Sequence, residues 1–142
     1  ITPMTIQTQS LTFHTQGGGD VVEITDDVAA ALAESALEAG IVTIFTPSAT
    51  SALTTLEYEP GCVSDLQRLF DEIANPDRPY AHNARWGDGN GHSHVRAALL
   101  GPSLTVPFAE GRLLLGTWQQ IIFVDFDNRA RQRKLIVQIL GE

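Results

Sequence analysis

The sequence predicts an α+β fold, a compact single domain spanning residues 1–142 with mainly antiparallel β-sheet and two to three helices. The length is that of one domain. Segments with strand-like patterns outnumber helical ones, and most lie in the C-terminal part, where short turns join them. Short turns connect antiparallel neighbours, whereas parallel strands need long crossover connections. These observations favour an antiparallel sheet over a doubly wound parallel one.

The N-terminal part begins with a predicted strand and helix. Over residues 4–13 apolar side chains repeat at every second position, as in a half-buried strand, and the glycine triplet at residues 17–19 ends it. That triplet lacks the residues of a phosphate-binding loop, so we interpret it as a turn. Asp26 and Asp27 then predict a helix start, and Gly40 predicts its end.

Two more helices are predicted further along the chain. Pro60 opens one that runs to Ile73, and the proline-rich residues 75–79 close it. A short one over residues 95–100 is followed by Gly101-Pro102. The remaining strands are predicted over residues 41–45, 52–58, 103–107, 112–116, 118–126 and 134–140.

Composition excludes several classes of protein. Nine Lys and Arg against 17 Asp and Glu leave a formal charge of −8, which argues against nucleic-acid binding. The single cysteine, Cys62, excludes an intrachain disulfide framework and a four-cysteine zinc site. No apolar stretch approaches the roughly 20 residues of a membrane span, and residues 1–10 do not resemble a signal peptide. We therefore expect a cytoplasmic protein with no membrane partner.

The densest functional signal lies in residues 80–94, which show no clear period and hold three of the four histidines. If His92 and His94 are in extended chain, their rings project to the same side. With His82 folded back beside them, three imidazoles and water would form an open divalent metal site, with zinc as the expected metal. The alternative is a polar loop with solvated histidines. His14 is isolated and is expected at a strand end.

Acidic residues provide candidate catalytic groups. Glu57, Asp65 and Asp88 can orient a metal-bound imidazole or act as general base. For each of them an ordinary surface role is the alternative, and Asp65 also suits the first part of a helix.

A second candidate site lies near residues 111–120. Thr117, Trp118 and Gln119 can line a pocket for a flat heterocycle, and Arg112 can bind a phosphate or carboxylate. Alternatively, Trp118 begins a core strand. The only basic cluster, residues 129–134, is interpreted as protecting a hairpin turn or facing a subunit partner.

Four stretches of this chain resemble the YjbQ family, also labelled secondary thiamine-phosphate synthases. They are ALTTLEYEPG at residues 52–61, GDGNGHSH at 87–94, LGPS at 100–103, and GR through GTWQ at 111–119. The resemblance implies a small-molecule enzyme that assembles as a homotrimer around packed sheets. It also implies weak thiamine-phosphate synthase activity, which joins hydroxymethylpyrimidine diphosphate to thiazole phosphate and releases pyrophosphate.

The resemblance also assigns residues. It implies divalent metal binding at His82, His92 and His94, with acidic positions at Glu57, Asp65 and Asp88 nearby. Many relatives carry a histidine where this chain has Ser48. Three functions therefore stay open: a metal-dependent transferase on phosphorylated thiamine precursors, a metal-dependent hydrolase of a small substrate, and a non-enzymatic trimer that binds a metal or ligand.

Overall fold

The computed structural model describes residues 3–142. Within that range the chain forms eight strands and four helices. The strands are β1 (Thr5–Thr15), β2 (Asp20–Glu23), β3 (Gly40–Phe45), β4 (Ser51–Leu56), β5 (Ser103–Ala109), β6 (Arg112–Leu113), β7 (Gln120–Asp125) and β8 (Arg131–Gly141). The helices are α1 (Thr25–Ser35), α2 (Pro60–Ile73), α3 (Ala81–Trp86) and α4 (Gly91–Leu100).

The strands form two antiparallel sheets. A five-stranded sheet has the order β1-β8-β3-β5-β6, and a three-stranded sheet has the order β2-β7-β4. Each strand pairing is antiparallel, and β1 and β8 pair along their whole length, from Thr5 opposite Gly141 to Thr15 opposite Arg131. The predicted α+β class with a mainly antiparallel sheet is confirmed.

Buried apolar side chains hold these elements together as layers. One core cluster lies between the two sheets and α1 and includes Leu32, Phe123 and Val137. A second cluster covers the other face of the three-stranded sheet, where Phe70 of α2 packs edge-on against Phe126 with ring centroids 4.8 Å apart. The helices α2 and α4 therefore form an outer layer on the three-stranded sheet.

The helix start and stop signals were partly right. Pro60 occupies the first turn of α2, and a side-chain oxygen of Glu59 accepts a hydrogen bond from the Cys62 backbone N–H at 2.7 Å. By contrast, α1 ends at Ser35, where Ala36 takes a left-handed conformation. Gly40 is not the helix stop, because it begins β3, where a β-carbon would collide with the backbone of Leu140.

Other predicted boundaries were wrong. The chain leaves β6 after Leu113 and enters β7 only at Gln120, so Trp118 lies in an exposed turn rather than at the start of a core strand. The short strand β2 was missed. Residues 80–94 are not irregular, since they contain α3 and the first turn of α4. No helix in the described part of the chain is long and apolar enough to cross a membrane.

Candidate metal-binding site

Two histidines and one aspartate converge at the junction of α3 and α4. His82 lies on α3, Asp88 follows that helix, and His94 lies on α4. One ligand atom from each residue can be chosen so that all three lie within 4.8 Å of one another. His82 Nδ1 is 3.3 Å from Asp88 Oδ1, and the two imidazole centroids are 4.5 Å apart. We call these three residues the His/Asp cluster.

Glycines in the connecting segment bring the two helices together. Gly87 ends α3 in the left-handed conformation, with φ of 67°, and its N–H donates to the Asn83 carbonyl. At the start of α4, the Gly91 N–H donates to Asn83 Oδ1 at 2.8 Å, and a β-carbon on Gly91 would come within 2.5 Å of the Tyr80 side chain. The tight reversal therefore requires glycine at both positions.

A backbone carbonyl orients the ring of His94. His94 Nδ1 lies 3.0 Å from the carbonyl oxygen of Ala49, in the loop before β4. Because a carbonyl oxygen only accepts, Nδ1 carries the proton and Nε2 keeps a free lone pair. This is the arrangement in which a neutral histidine binds a metal ion through Nε2.

The His/Asp cluster fits a divalent cation. His82 Nδ1 is buried and has no hydrogen-bond partner among the described residues, although the Asp88 carboxylate is 3.3 Å away. A bound cation would satisfy that nitrogen and also neutralise the adjacent carboxylate. Two imidazoles and one carboxylate form a donor set that zinc commonly takes, with a remaining position open to water or substrate.

His92 does not join this cluster. It lies in a helix rather than in extended chain, so it projects about 200° around the axis from His94. The residue is 4 % exposed, its ring centroid lies 6.4 Å from that of Tyr80, and Nε2 is 3.3 Å from Ser93 Oγ. Burial and the nearby charge of Arg96 hold the pKa of His92 below its usual range. The condition of an extended chain, on which His92 and His94 would share one side, is therefore not met, and Asp88 rather than His92 is the third member of the cluster.

The other predicted acids lie outside the cluster. Glu57 is exposed just beyond the end of β4. Asp65 is exposed on α2 and forms a 3.0 Å ion pair with Arg68, one turn away on the same helix. Asp88 alone of the three predicted catalytic residues is in the cluster, where its position suits a ligand.

The second predicted site is separate from the cluster in a single chain. Arg112, Thr117, Trp118 and Gln119 are all exposed. Gln119 Nε2 donates to Thr55 Oγ1 near the far end of β4. That end is about 16 Å along the strand from Ser51, which lies near His94.

Two arginines near the cluster have a role that the sequence did not indicate. Arg133 donates two hydrogen bonds to the buried carboxylate of Asp125, at 2.7 and 2.8 Å, and Arg131 pairs with buried Asp127 at 3.1 Å. Arg133 also donates to Ser48 Oγ at 3.0 Å and therefore fixes the loop that holds Ala49. The interpretation of this basic segment as turn protection or a partner surface did not foresee these ion pairs, because the partners are set by the fold.

Two cavities lie beside the cluster. The one next to His94 has a volume of about 230 Å³ and is lined mostly by small side chains, namely Ser48, Ala49, Ser51, Ala97, Ala98 and Pro102. The one next to Asp88 has a volume of about 350 Å³ and a polar lining. The cluster thus has an apolar cavity on one side and a polar one on the other.

Comparison with known proteins identifies the family. A family model described as UPF0047 protein YjbQ-like matches residues 9–142. The chain belongs to the YjbQ-like UPF0047 family. A UPF0047 protein of Methanothermobacter thermautotrophicus is 37 % identical over 139 residues, covering 98 % of this chain and 95 % of the relative. The UPF0047 protein YugU of Bacillus subtilis is 33 % identical over 135 residues, covering 94 % and 98 %.

The UPF0047 fold is also seen in solved structures. A YbjQ-like protein of unknown function from Sulfolobus solfataricus P2 aligns with a TM-score of 0.94 at 34 % identity, covering 99 % of this chain and all of that one. A YjbQ/UPF0047 protein from Clostridium acetobutylicum aligns with a TM-score of 0.85 at 31 % identity, covering 92 % and 98 %. These relatives establish the fold and the family.

Proposed function

We propose that this UPF0047 protein binds a divalent metal ion, zinc in the first instance, through His82, Asp88 and His94. One observation carries the proposal: each of the three residues offers a ligand atom within 4.8 Å of the others, and His82 Nδ1 is buried without a hydrogen-bond partner among residues 3–142. An unsatisfied buried nitrogen next to a carboxylate is costly unless a cation completes the site.

The protein residues would hold the ion and set its surroundings. A divalent ion bound here supplies Lewis acidity and positive charge for a phosphoryl group. The Ala49 carbonyl keeps the His94 Nε2 lone pair available, and Arg133 holds the Ser48–Thr50 loop through hydrogen bonds to both side chains, at 3.0 and 2.8 Å. The glycine turns fix Asp88 between the two helices.

We propose a small phosphorylated molecule as substrate. The apolar cavity beside His94 and the polar cavity beside Asp88 suit a molecule with an uncharged organic part and an anionic part. The reaction implied by the family resemblance has this chemistry. It joins hydroxymethylpyrimidine diphosphate to thiazole phosphate and releases pyrophosphate, whose developing charge a metal would neutralise.

We also propose that the chain assembles as a homotrimer through the outer face of the five-stranded sheet. On that face the register aligns a row of apolar residues across four strands, namely Ile6, Leu140, Ile41 and Pro107. Ile6 is 65 % exposed and Ile41 is 40 % exposed. Helix α1 lies on the opposite face, where it accepts hydrogen bonds from Gln7 and Gln9. A row of apolar residues that are exposed or partly exposed on one sheet face suits a contact between identical subunits.

The test of the proposed function is turnover by zinc-loaded protein on the two thiamine precursors and on a generic phosphomonoester. Asp88→Asn should abolish any turnover, whereas Asp77→Asn, an exposed turn residue, should retain it. Synthesis of thiamine phosphate supports the transferase, and hydrolysis of the generic ester supports a hydrolase. Zinc-loaded protein that turns over neither the thiamine precursors nor the generic phosphomonoester would contradict the proposed enzymatic role and favour a binding protein.

A further inference from the structure

The cavity beside Asp88 has the features of a ligand site in its own right. Its volume of about 350 Å³ is in the range of small-molecule sites. Its lining is entirely polar or charged, consisting of Asp88, Asn90, Asn128, Arg129 and Arg131. Because Asp88 belongs both to this lining and to the His/Asp cluster, a ligand in the cavity would lie beside a metal held by the cluster.

The charges of the cavity leave one arginine available for a ligand. Arg131 is committed to Asp127, and Arg133 is committed to Asp125. The guanidinium of Arg129, by contrast, has no carboxylate in ion-pair range within residues 3–142, and its side chain is exposed. A metal on the cluster would offset the charge of Asp88, and the cavity would then carry net positive charge.

Hydrogen bonds fix the two loops that form the cavity. Asn128 Nδ2 donates to the Asp88 carbonyl at 2.7 Å, and the Asn128 N–H donates to Asn90 Oδ1 at 3.0 Å. On the other side, the Arg129 N–H donates to Asp127 Oδ1 at 3.2 Å. The backbone that carries Arg129 is therefore tied to the backbone that carries Asp88, which keeps the base of the arginine side chain beside the cluster.

We infer that this cavity is an anion subsite that binds the phosphoryl group of the substrate, with Arg129 as the principal binding residue. A guanidinium presents parallel N–H donors whose geometry matches phosphate oxygens. The inference rests on the proposed function, because the metal raises the positive charge that holds the anion. It also replaces Arg112, which lies in the separate site on β6, as the residue for phosphate.

The test is a calorimetric titration of zinc-loaded full-length protein, without excess zinc, with methylphosphonate. This probe carries the phosphoryl oxygens and is not hydrolysed. Arg129→Ala should weaken binding at least about tenfold, the usual effect of losing a charged hydrogen bond. Arg68→Ala removes the same charge from an exposed position on α2 and should bind as the wild type. Thermal unfolding would verify that both variants are folded.

Metal and anion should also strengthen each other. Methylphosphonate should bind the zinc-loaded protein more tightly than the metal-free protein, and zinc should bind more tightly by the same factor when methylphosphonate is present. Equal affinity of Arg129→Ala and wild type for methylphosphonate would overturn the inference. Wild-type protein that binds zinc but not methylphosphonate would also overturn it, and the proposed metal site would stand. If zinc does not bind, the proposed function fails. In that case, Arg129-dependent binding of methylphosphonate to the metal-free protein would still support the subsite. Absence of methylphosphonate binding would overturn it.

Discussion

His94 Nδ1 donates to the carbonyl oxygen of Ala49 across 3.0 Å, and this contact links helix α4 to the loop before β4. The carbonyl can only accept, so the contact selects one tautomer of His94 and leaves the lone pair of Nε2 free. The two functions of the ring can therefore be separated by mutation.

The substitution His94→Asn should remove the ligand and retain the loop contact. The asparagine amide can donate to the Ala49 carbonyl from nearly the position of Nδ1, but nothing replaces Nε2. We expect zinc affinity to fall at least about tenfold, with the unfolding free energy changed by less than about 1 kcal/mol. Competition with a chromophoric chelator and urea unfolding measure the two quantities. Unchanged zinc affinity would contradict the role of His94 as a ligand. The control is His14→Asn, at an exposed position on β1.

Ser48→His should strengthen zinc binding. Ser48 and His94 line the same cavity. An added imidazole there would offer a fourth protein ligand, and we expect affinity to rise by at least about tenfold, or about 1.4 kcal/mol. The control is Ser64→His on the exposed side of α2. A variant that binds zinc no more tightly than wild type would show that position 48 does not reach the ion.

Asp127 should make stability depend on pH. Burial alone raises its pKa, but hydrogen bonds from Arg131 and Thr50 outweigh this effect and hold the pKa of Asp127 below its usual value. Because the folded-state pKa is lowered, the stabilisation is complete above the unfolded value of about 3.8 and is lost as pH falls through the folded pKa.

The variant Asp127→Asn tests this contribution, since it leaves Arg131 without its buried partner. We expect a loss of about 3 kcal/mol of unfolding free energy at pH 7, and a smaller difference from wild type at pH 3. Urea unfolding at both pH values provides the comparison, with Asp77→Asn in an exposed turn as control. A difference that stays constant between the two pH values would be inconsistent with an ionised, paired Asp127.

The outer face of the five-stranded sheet should control assembly. Ile41 is 40 % exposed in the centre of the apolar row, and Ile41→Glu would place a charge there. We expect sedimentation to change from trimer to monomer at micromolar concentration, because a buried unpaired charge is strongly unfavourable at an interface. Leu69→Glu on α2, where the leucine is 47 % exposed, should not change the assembly. A monomeric wild type would refute the trimer.

Local sequence signals predicted much of the fold. Alternation over residues 4–13 identified β1, and Pro60 together with residues 75–79 delimited α2 closely. These signals depend on near neighbours in the chain, so they can be read without the tertiary structure. The strand β2 was missed because it is four residues long and is defined by its pairing with β7.

The candidate site was harder to predict because it, too, depends on contacts between residues that are far apart in sequence. The glycines in residues 87–91 are atypical of a helix start, so the beginning of α4 was not recognised. The helical conformation places His92 on the other side of the axis from His94. The Ala49 carbonyl and the buried partners of Arg131 and Arg133 lie far away in sequence. Their contribution comes from strand register and loop placement, which composition and spacing do not encode.

We expect His82, Asp88 and His94 to hold one metal ion. The most direct test is the zinc stoichiometry and affinity of untagged protein, measured by chelator competition and elemental analysis for wild type, His82→Ala and the control His14→Ala. We expect one zinc per chain in wild type and in His14→Ala, with affinity reduced at least about tenfold in His82→Ala. Wild-type protein that binds no zinc, or His82→Ala that binds it as well as wild type, would contradict metal binding by these three residues.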